Sequence, residues 1–139
     1  MKTYGTMFTG LLFFSFMCNG QNSWRIAREE LILNNPPFAQ CHASTIVEIN
    51  PKKLMVAYFA GTDEGNKDVG IWLSTQVEGK WDQPVLIADG IINDTLRYPC
   101  WNPVLFKTKE GKVFLFYKVG PSPREWWGML RTSTDDGKT

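Results

Sequence analysis

Two carboxylates stand side by side at Asp63 and Glu64, inside the turn-forming run Gly61-Thr62-Asp63-Glu64-Gly65. Adjacent acids repel, and that repulsion can hold one of them protonated to a higher pH. Glycoside cleavage needs a proton donor at the departing oxygen and a second group that captures or activates the opposite face. The same run also suits a polar turn built on Asp63 and Gly65. Asp68, a few residues on, reads as a turn or strand-start residue. His42 is the single histidine of the chain. It can gain or lose a proton near neutral pH, so it fits a substrate contact or a general base, and a structural position as well.

Around these three candidate catalytic residues stand candidate binding residues. Arg97 can clamp an anionic sugar group, and Lys118 can meet a carboxylate. A surface salt bridge and a sheet-edge charge are the plainer uses of the two cations. Trp101-Asn102 combines a flat stacking surface with an amide for sugar hydroxyls. Trp126-Trp127 follows Pro121-Ser122-Pro123-Arg124-Glu125, which reads as a loop, and paired indoles on a loop are either buried or used for stacking.

Other chemistries lack their residues. One His and the distant Cys41 and Cys100 make no zinc set, and there is neither a phosphate loop nor a GxSxG elbow. No metal and no cofactor are expected. Fifteen Lys and Arg against fourteen Asp and Glu leave a formal charge of +1, which gives no clustered field for nucleic acid. Asn93-Asp94-Thr95 matches a glycosylation sequon, meaningful only in a eukaryotic secretory pathway.

The elements that position these residues follow from an internal repeat. Sliding the chain by 59 residues lays 41–61 over 100–120 without a gap: Cys41 on Cys100, Lys53 on Lys112, Tyr58 on Tyr117, Gly61 on Gly120. Each copy reads as short strands. The first predicts Ala43–Ile49, Lys53–Ala60, Val69–Thr75 and Val85–Ala88, with Asn50-Pro51-Lys52 as a turn. The second predicts Pro103–Thr108, Val113–Val119 and Met129–Ser133, with no residues left for a fourth strand. Four antiparallel strands at this spacing indicate propeller blades, one at about 41–90 and a truncated one at about 98–139. Before them, Leu31–Leu33 reads as an outer strand and Arg28–Glu30 as one helical turn. Two blades cannot close a ring, so residues 21–139 are expected to be the N-terminal part of a longer chain.

Residues 1–20 read as a signal peptide: Lys2, then the apolar run 7–17, then small residues before Gln21. The run is too short to span a bilayer. Export to the periplasm or beyond is expected, and bulky Met17 speaks against lipid attachment at Cys18. Removal of the leader leaves an even pair, Cys41 and Cys100, and export permits a disulfide between them.

The run Ser133-Thr134-Asp135-Asp136-Gly137-Lys138-Thr139 resembles the Asp-box of the sialidase (neuraminidase) superfamily, a β-turn motif on the blade periphery. The segments CHASTIVEI, RYPCWNPVLF and WWG extend the resemblance through most of 41–139, to the bacterial BNR-repeat, sialidase-like group. The resemblance implies an all-β, six-bladed propeller and an exo-acting glycoside hydrolase that takes a terminal, perhaps acidic, sugar from a glycan or oligosaccharide. It sets Asp63 and Glu64 in the place of the family's acid/base carboxylate and the nucleophilic Tyr in later blades. His42 stands where sialidases carry the Arg of Arg-Ile-Pro, and an imidazole cannot reproduce a guanidinium's bidentate fork. Two other readings remain: a propeller polysaccharide lyase with His42 as base, and a carbohydrate-binding propeller without catalysis.

Overall fold

The computed structural model describes residues 25–139, so the expected signal peptide lies outside the described residues. Residues 25–30 belong to an N-terminal unit separate from Leu31–Thr139. They carry no regular structure, and the helical turn expected at Arg28–Glu30 is not formed; Arg28 instead pairs with Glu30 at the chain surface.

The unit Leu31–Thr139 is all-β and its strand pairs are antiparallel. The first sheet is a meander of β1 (Gln40–Asn50), β2 (Lys53–Gly61) and β3 (Gly70–Val77), closed by two short pieces that both pair with β3, namely β4 (Lys80–Trp81) and β5 (Val85–Ala88). The expected fourth strand is thus present as β5, and the unexpected β4 is separated from it by Asp82-Gln83-Pro84, where proline removes a ladder donor. A small hairpin, β6 (Ile91–Asn93) and β7 (Leu96–Arg97), leads to the second sheet: β8 (Cys100–Lys107), β9 (Val113–Val119) and β10 (Trp127–Ser133). The sequon motif is the turn of that hairpin, with Asn93 Oδ1 accepting hydrogen bonds from the Thr95 and Leu96 amides and the Thr95 hydroxyl.

Local chemistry explains the turns. Glu78 and Gly79 both take positive φ between paired Val77 and Lys80, the geometry that matches the twist of a two-residue hairpin. Asn50 Oδ1 accepts the Lys52 amide at 2.9 Å and caps the turn before β2.

From Leu54 onward β2 is apolar because both its faces are buried. Met55, Ala57 and Phe59 point into the interface with the second sheet, among Cys100, Trp101, Leu105, Leu115 and Tyr117. Val56, Tyr58 and Ala60 point the other way and are covered by Ile32, Leu33, Phe38, Trp72 and Trp81. Ile32 and Leu33 therefore do pack on this sheet while Leu31 stays exposed, and the segment is an irregular cover and not the expected strand. A segment without a ladder partner can still bury its side chains, and burial is what the apolar pattern records.

Strands β1 and β8 lie side by side: the Thr45 hydroxyl meets the Leu105 amide, and Lys107 Nζ reaches the Ile49 carbonyl. Among the described residues Cys41 and Cys100 are free thiols, with no disulfide between them; Cys41 is exposed, and burial of Cys100 pushes its thiol up to about 12.

The Asp-box forms a closed turn after β10. Asp135 accepts from the Ser133 hydroxyl, the Lys138 and Thr139 amides and the Thr139 hydroxyl, and Ser133 Oγ accepts the Gly137 amide. Lys53 Nζ donates to the Asp136 carbonyl at 2.9 Å, fastening the box to the start of β2. These bonds, led by the Ser133 hydroxyl, hold the Asp135 carboxyl well below the usual carboxylate range. A carboxylate depressed in the fold stabilises it above the unfolded-state pKa, and that stabilisation is lost as pH falls through the folded value. Asp135→Ala is therefore expected to melt below wild type at neutral pH. The gap between the two should narrow on acidification below about pH 4, which paired thermal melts across pH measure.

Candidate functional site

The repeat places the same distortion twice. Ala43 (φ 51°) and Asn102 (φ 39°) are left-handed non-glycine residues exactly one repeat apart, each inside a register shift of its strand. Such a backbone costs on the order of 1–3 kcal/mol and persists only where the surroundings impose it. A bulge also re-aims the residue beside it. The residues beside these two are His42 and Trp101, paired with Phe59 and Lys118 respectively.

From there a chain of rings crosses the ends of both sheets. His42 stacks on Phe59 (5.5 Å between centroids, 25° between planes). Phe59 meets Trp101 at 5.9 Å, and Trp101 meets Trp126 at 5.8 Å. Lys118 Nζ lies 4.8 Å above the Trp126 ring, a cation–π contact. Phe59 and Trp101 are 2% and 5% exposed, so they anchor the row, while His42 is exposed and Trp126 and Lys118 are half-buried. Trp101 Nε1 donates to the Gly120 carbonyl at 3.0 Å, which fixes the indole's orientation. Trp127 takes a different course: it leaves this row, meets Tyr98 edge-on at 5.7 Å and stays 41% exposed.

The loop between β2 and β3 closes over the same end. A methyl group at Gly65 would sit 3.6 Å from the Trp101 ring, and the Cys100 amide donates to the Val69 carbonyl at 3.0 Å. Asp63 and Glu64 are both exposed. Asp63 Oδ1 accepts the Glu64 amide at 3.0 Å and its carbonyl accepts the Asn66 amide, so its carboxylate also caps the turn. The Glu64 carboxylate has no hydrogen bond among the described residues. Asp68 accepts from both the amide and the hydroxyl of Thr62, and the hydroxyl above all holds its carboxyl below the usual range. Arg97 spends one Nη on the Asp68 carbonyl at 3.3 Å, and its buried Nε has no partner among the described residues.

His42, Trp101, Trp126, Lys118 and the loop of Asp63 and Glu64 are thus joined by contacts at one end of the sheets, with Arg97 behind the loop and Asn102 within the bulge. Phe59, Thr62 and Tyr98 complete the arrangement and escaped sequence reasoning. An apolar phenylalanine in a buried strand carries no mark of facing a site, and the Thr62–Asp68 bond spans a loop whose path local pattern does not fix. The Asp-box lies at the far end of β2, eight steps or roughly 25 Å away. An apolar cleft between the sheets also opens at that far end, lined by Met55, Leu105, Leu115 and Gly137, and it offers no acid pair. Among the described residues no group of three or more His, Cys, Asp or Glu could hold a metal ion.

A family model described as a BNR repeat-like domain matches residues 52–139, which takes in the acid loop, the second sheet and the Asp-box. No curated protein and no solved structure matches the chain.

Proposed function

The chain belongs to the BNR repeat-like family, and from that premise we propose that it is an exported glycoside hydrolase of sialidase-like fold, removing a terminal sugar from a glycan. The supporting observation is the repeated bulge beside His42 and Trp101, with the Trp101 ring 3.6 Å from where a methyl group at Gly65 of the acid loop would sit. In this reading the sugar ring rests on the Trp101–Trp126 surface, Lys118 and His42 meet its polar groups, and one carboxyl of the exposed pair protonates the leaving oxygen. His42 in the place of an arginine fits a ligand whose recognition does not depend on a bidentate carboxylate clamp.

A propeller is the scaffold we propose. Under the 59-residue shift Met55 and Phe59, which face the second sheet, correspond to Phe114 and Lys118, which alternate with the core-facing Val113, Leu115, Tyr117 and Val119 and so lie on that sheet's opposite face. There Val104, Phe106, Phe116 and Leu130 are exposed. A head-to-tail stack leaves such a face for a further sheet of the same kind.

The turn-capping bond of Asp63 favours a second reading, a carbohydrate-binding propeller without turnover. Incubating the full-length protein with chromogenic terminal glycosides, neutral and acidic, separates them. We expect sugar release, reduced on the order of 100-fold in Asp63→Asn or Glu64→Gln. Unreduced turnover in both variants refutes the acid/base assignment. An ultraviolet-absorbing unsaturated uronate indicates a lyase with His42 as base, and binding without product indicates the second reading.

A further inference from the structure

We propose that Thr62, Asp68 and Arg97 form a clasp that positions the loop of Asp63 and Glu64 against Trp101. The proposal deepens the hydrolase reading and, for its catalytic consequence, rests on it. The loop needs such a device. Residues 62–68 are all exposed and form no strand, so burial does not hold them. What holds them is a small set of bonds that converge on Asp68. Its two carboxylate oxygens take the amide (2.8 Å) and the hydroxyl (2.7 Å) of Thr62, closing the loop at its neck. Asn66 Nδ2 reaches the same Thr62 hydroxyl at 3.3 Å and ties the loop's middle to that neck. The Asp68 carbonyl is in turn held by Arg97, which belongs to the hairpin leading to the second sheet.

The clasp therefore spans two sheets. One end closes the acid loop of the first sheet. The other is anchored in the segment that leads directly into Cys100 and Trp101. Through Arg97 and the Cys100–Val69 backbone bond, the loop and the stacking surface share one support. Asp68 and Arg97 are positioning residues: the groups that would meet substrate are Asp63, Glu64 and Trp101. The clasp uses one Nη of Arg97, which donates to the Asp68 carbonyl.

The test uses the full-length protein with Thr62→Val, Thr62→Ser and Arg97→Met. Amide hydrogen exchange at Glu64 and Asn66 should rise about tenfold in Thr62→Val and Arg97→Met, because local opening sets exchange of loop amides. Thr62→Ser keeps the hydroxyl and should restore wild-type exchange. Strand amides of β2 should not change. On a glycoside that the wild type cleaves, kcat should fall about tenfold in the two opened variants with KM nearly unchanged, the signature of lost transition-state positioning. Unchanged loop exchange overturns the clasp, as does a rise spread equally over β2. Faster loop exchange with wild-type kcat overturns its positioning role. Failure of the hydrolase reading shows separately, as no turnover by the wild type on any glycoside while the exchange contrast among the variants persists.

Discussion

Replacing Phe59 with Ala is expected to cost about 3–5 kcal/mol of stability, the range for removing a buried phenylalanine from a packed core. Phe59 is 2% exposed and sits where both sheets and the site meet, between His42 on one side and Trp101 on the other. Two losses add here: the transfer of a large ring out of water, and the cavity left between sheets that cannot close on themselves. Urea denaturation should show the midpoint moving down sharply with little change in slope. Phe59→Leu, which keeps most of the volume, should cost under about 1.5 kcal/mol. It should still remove the stack beneath His42. If Phe59→Ala unfolds at the wild-type midpoint, the two sheets do not share the core described.

Gly90→Ala is expected to be comparably damaging for a different reason. A methyl group at Gly90 would fall 1.8 Å from the Tyr98 carbonyl oxygen, a backbone atom that cannot turn aside. Gly90 also accepts the Tyr98 amide at 2.9 Å, so the two residues close the base of the β6–β7 hairpin. Forcing them apart displaces the segment that carries Arg97 and leads into Trp101. The expected cost is about 3 kcal/mol, at the upper end for overpacking, with a melting point lower by roughly 10 °C. Two comparison variants isolate the cause. Gly79→Ala meets open space but has a φ of +83°, so only the left-handed backbone penalty of about 1–2 kcal/mol applies. Gly128→Ala meets open space without a positive φ and should stay within about 0.5 kcal/mol of wild type. Equal melting points for Gly90→Ala and Gly128→Ala would mean that the hairpin base is not closed as described.

Acid sensitivity follows from the same kind of local reasoning. Asp68 and Asp135 both have carboxyls held below the ordinary range, so both lend stability above their unfolded-state pKa and withdraw it as pH falls through the folded value. They stand at opposite ends of the sheets. Asp135 closes a turn tied to the start of β2, while Asp68 closes the loop that follows its end.

The longer strands β1, β2, β3, β8, β9 and β10, the short β5, their antiparallel pairing and the doubled unit are legible in the amino-acid sequence, because they depend on spacing, whereas β4 and the β6–β7 hairpin are too short to announce themselves. Continuous apolar runs such as Leu54–Ala60 announce a strand buried on both faces. The register that lays Cys41 on Cys100 also lays Ala43 on Asn102, and the two positions prove to share a left-handed bulge. The Asp-box is legible for a similar reason: the side-chain bonds of Ser133 and Asp135 run between residues at most four apart, so the turn itself is contained within the motif.

Tertiary structure decided what lies between distant residues. The apolar pattern at Leu31–Leu33 records burial only at Ile32 and Leu33 and cannot say whether a ladder partner is free, and the segment packs as an irregular cover. Arg28–Glu30 has the composition of a helical turn, yet one turn fixes several dihedrals for a single hydrogen bond and does not form alone. Trp126 and Trp127 are neighbours in sequence and part in space, one toward Trp101 and the other toward Tyr98. The duties of Arg97, Thr62 and Asp68 come from contacts that bulges and loop paths create. Spacing along a chain determines which way a regular strand presents its side chains, whereas a bulge resets that direction and leaves the outcome to the packing of the opposing sheet.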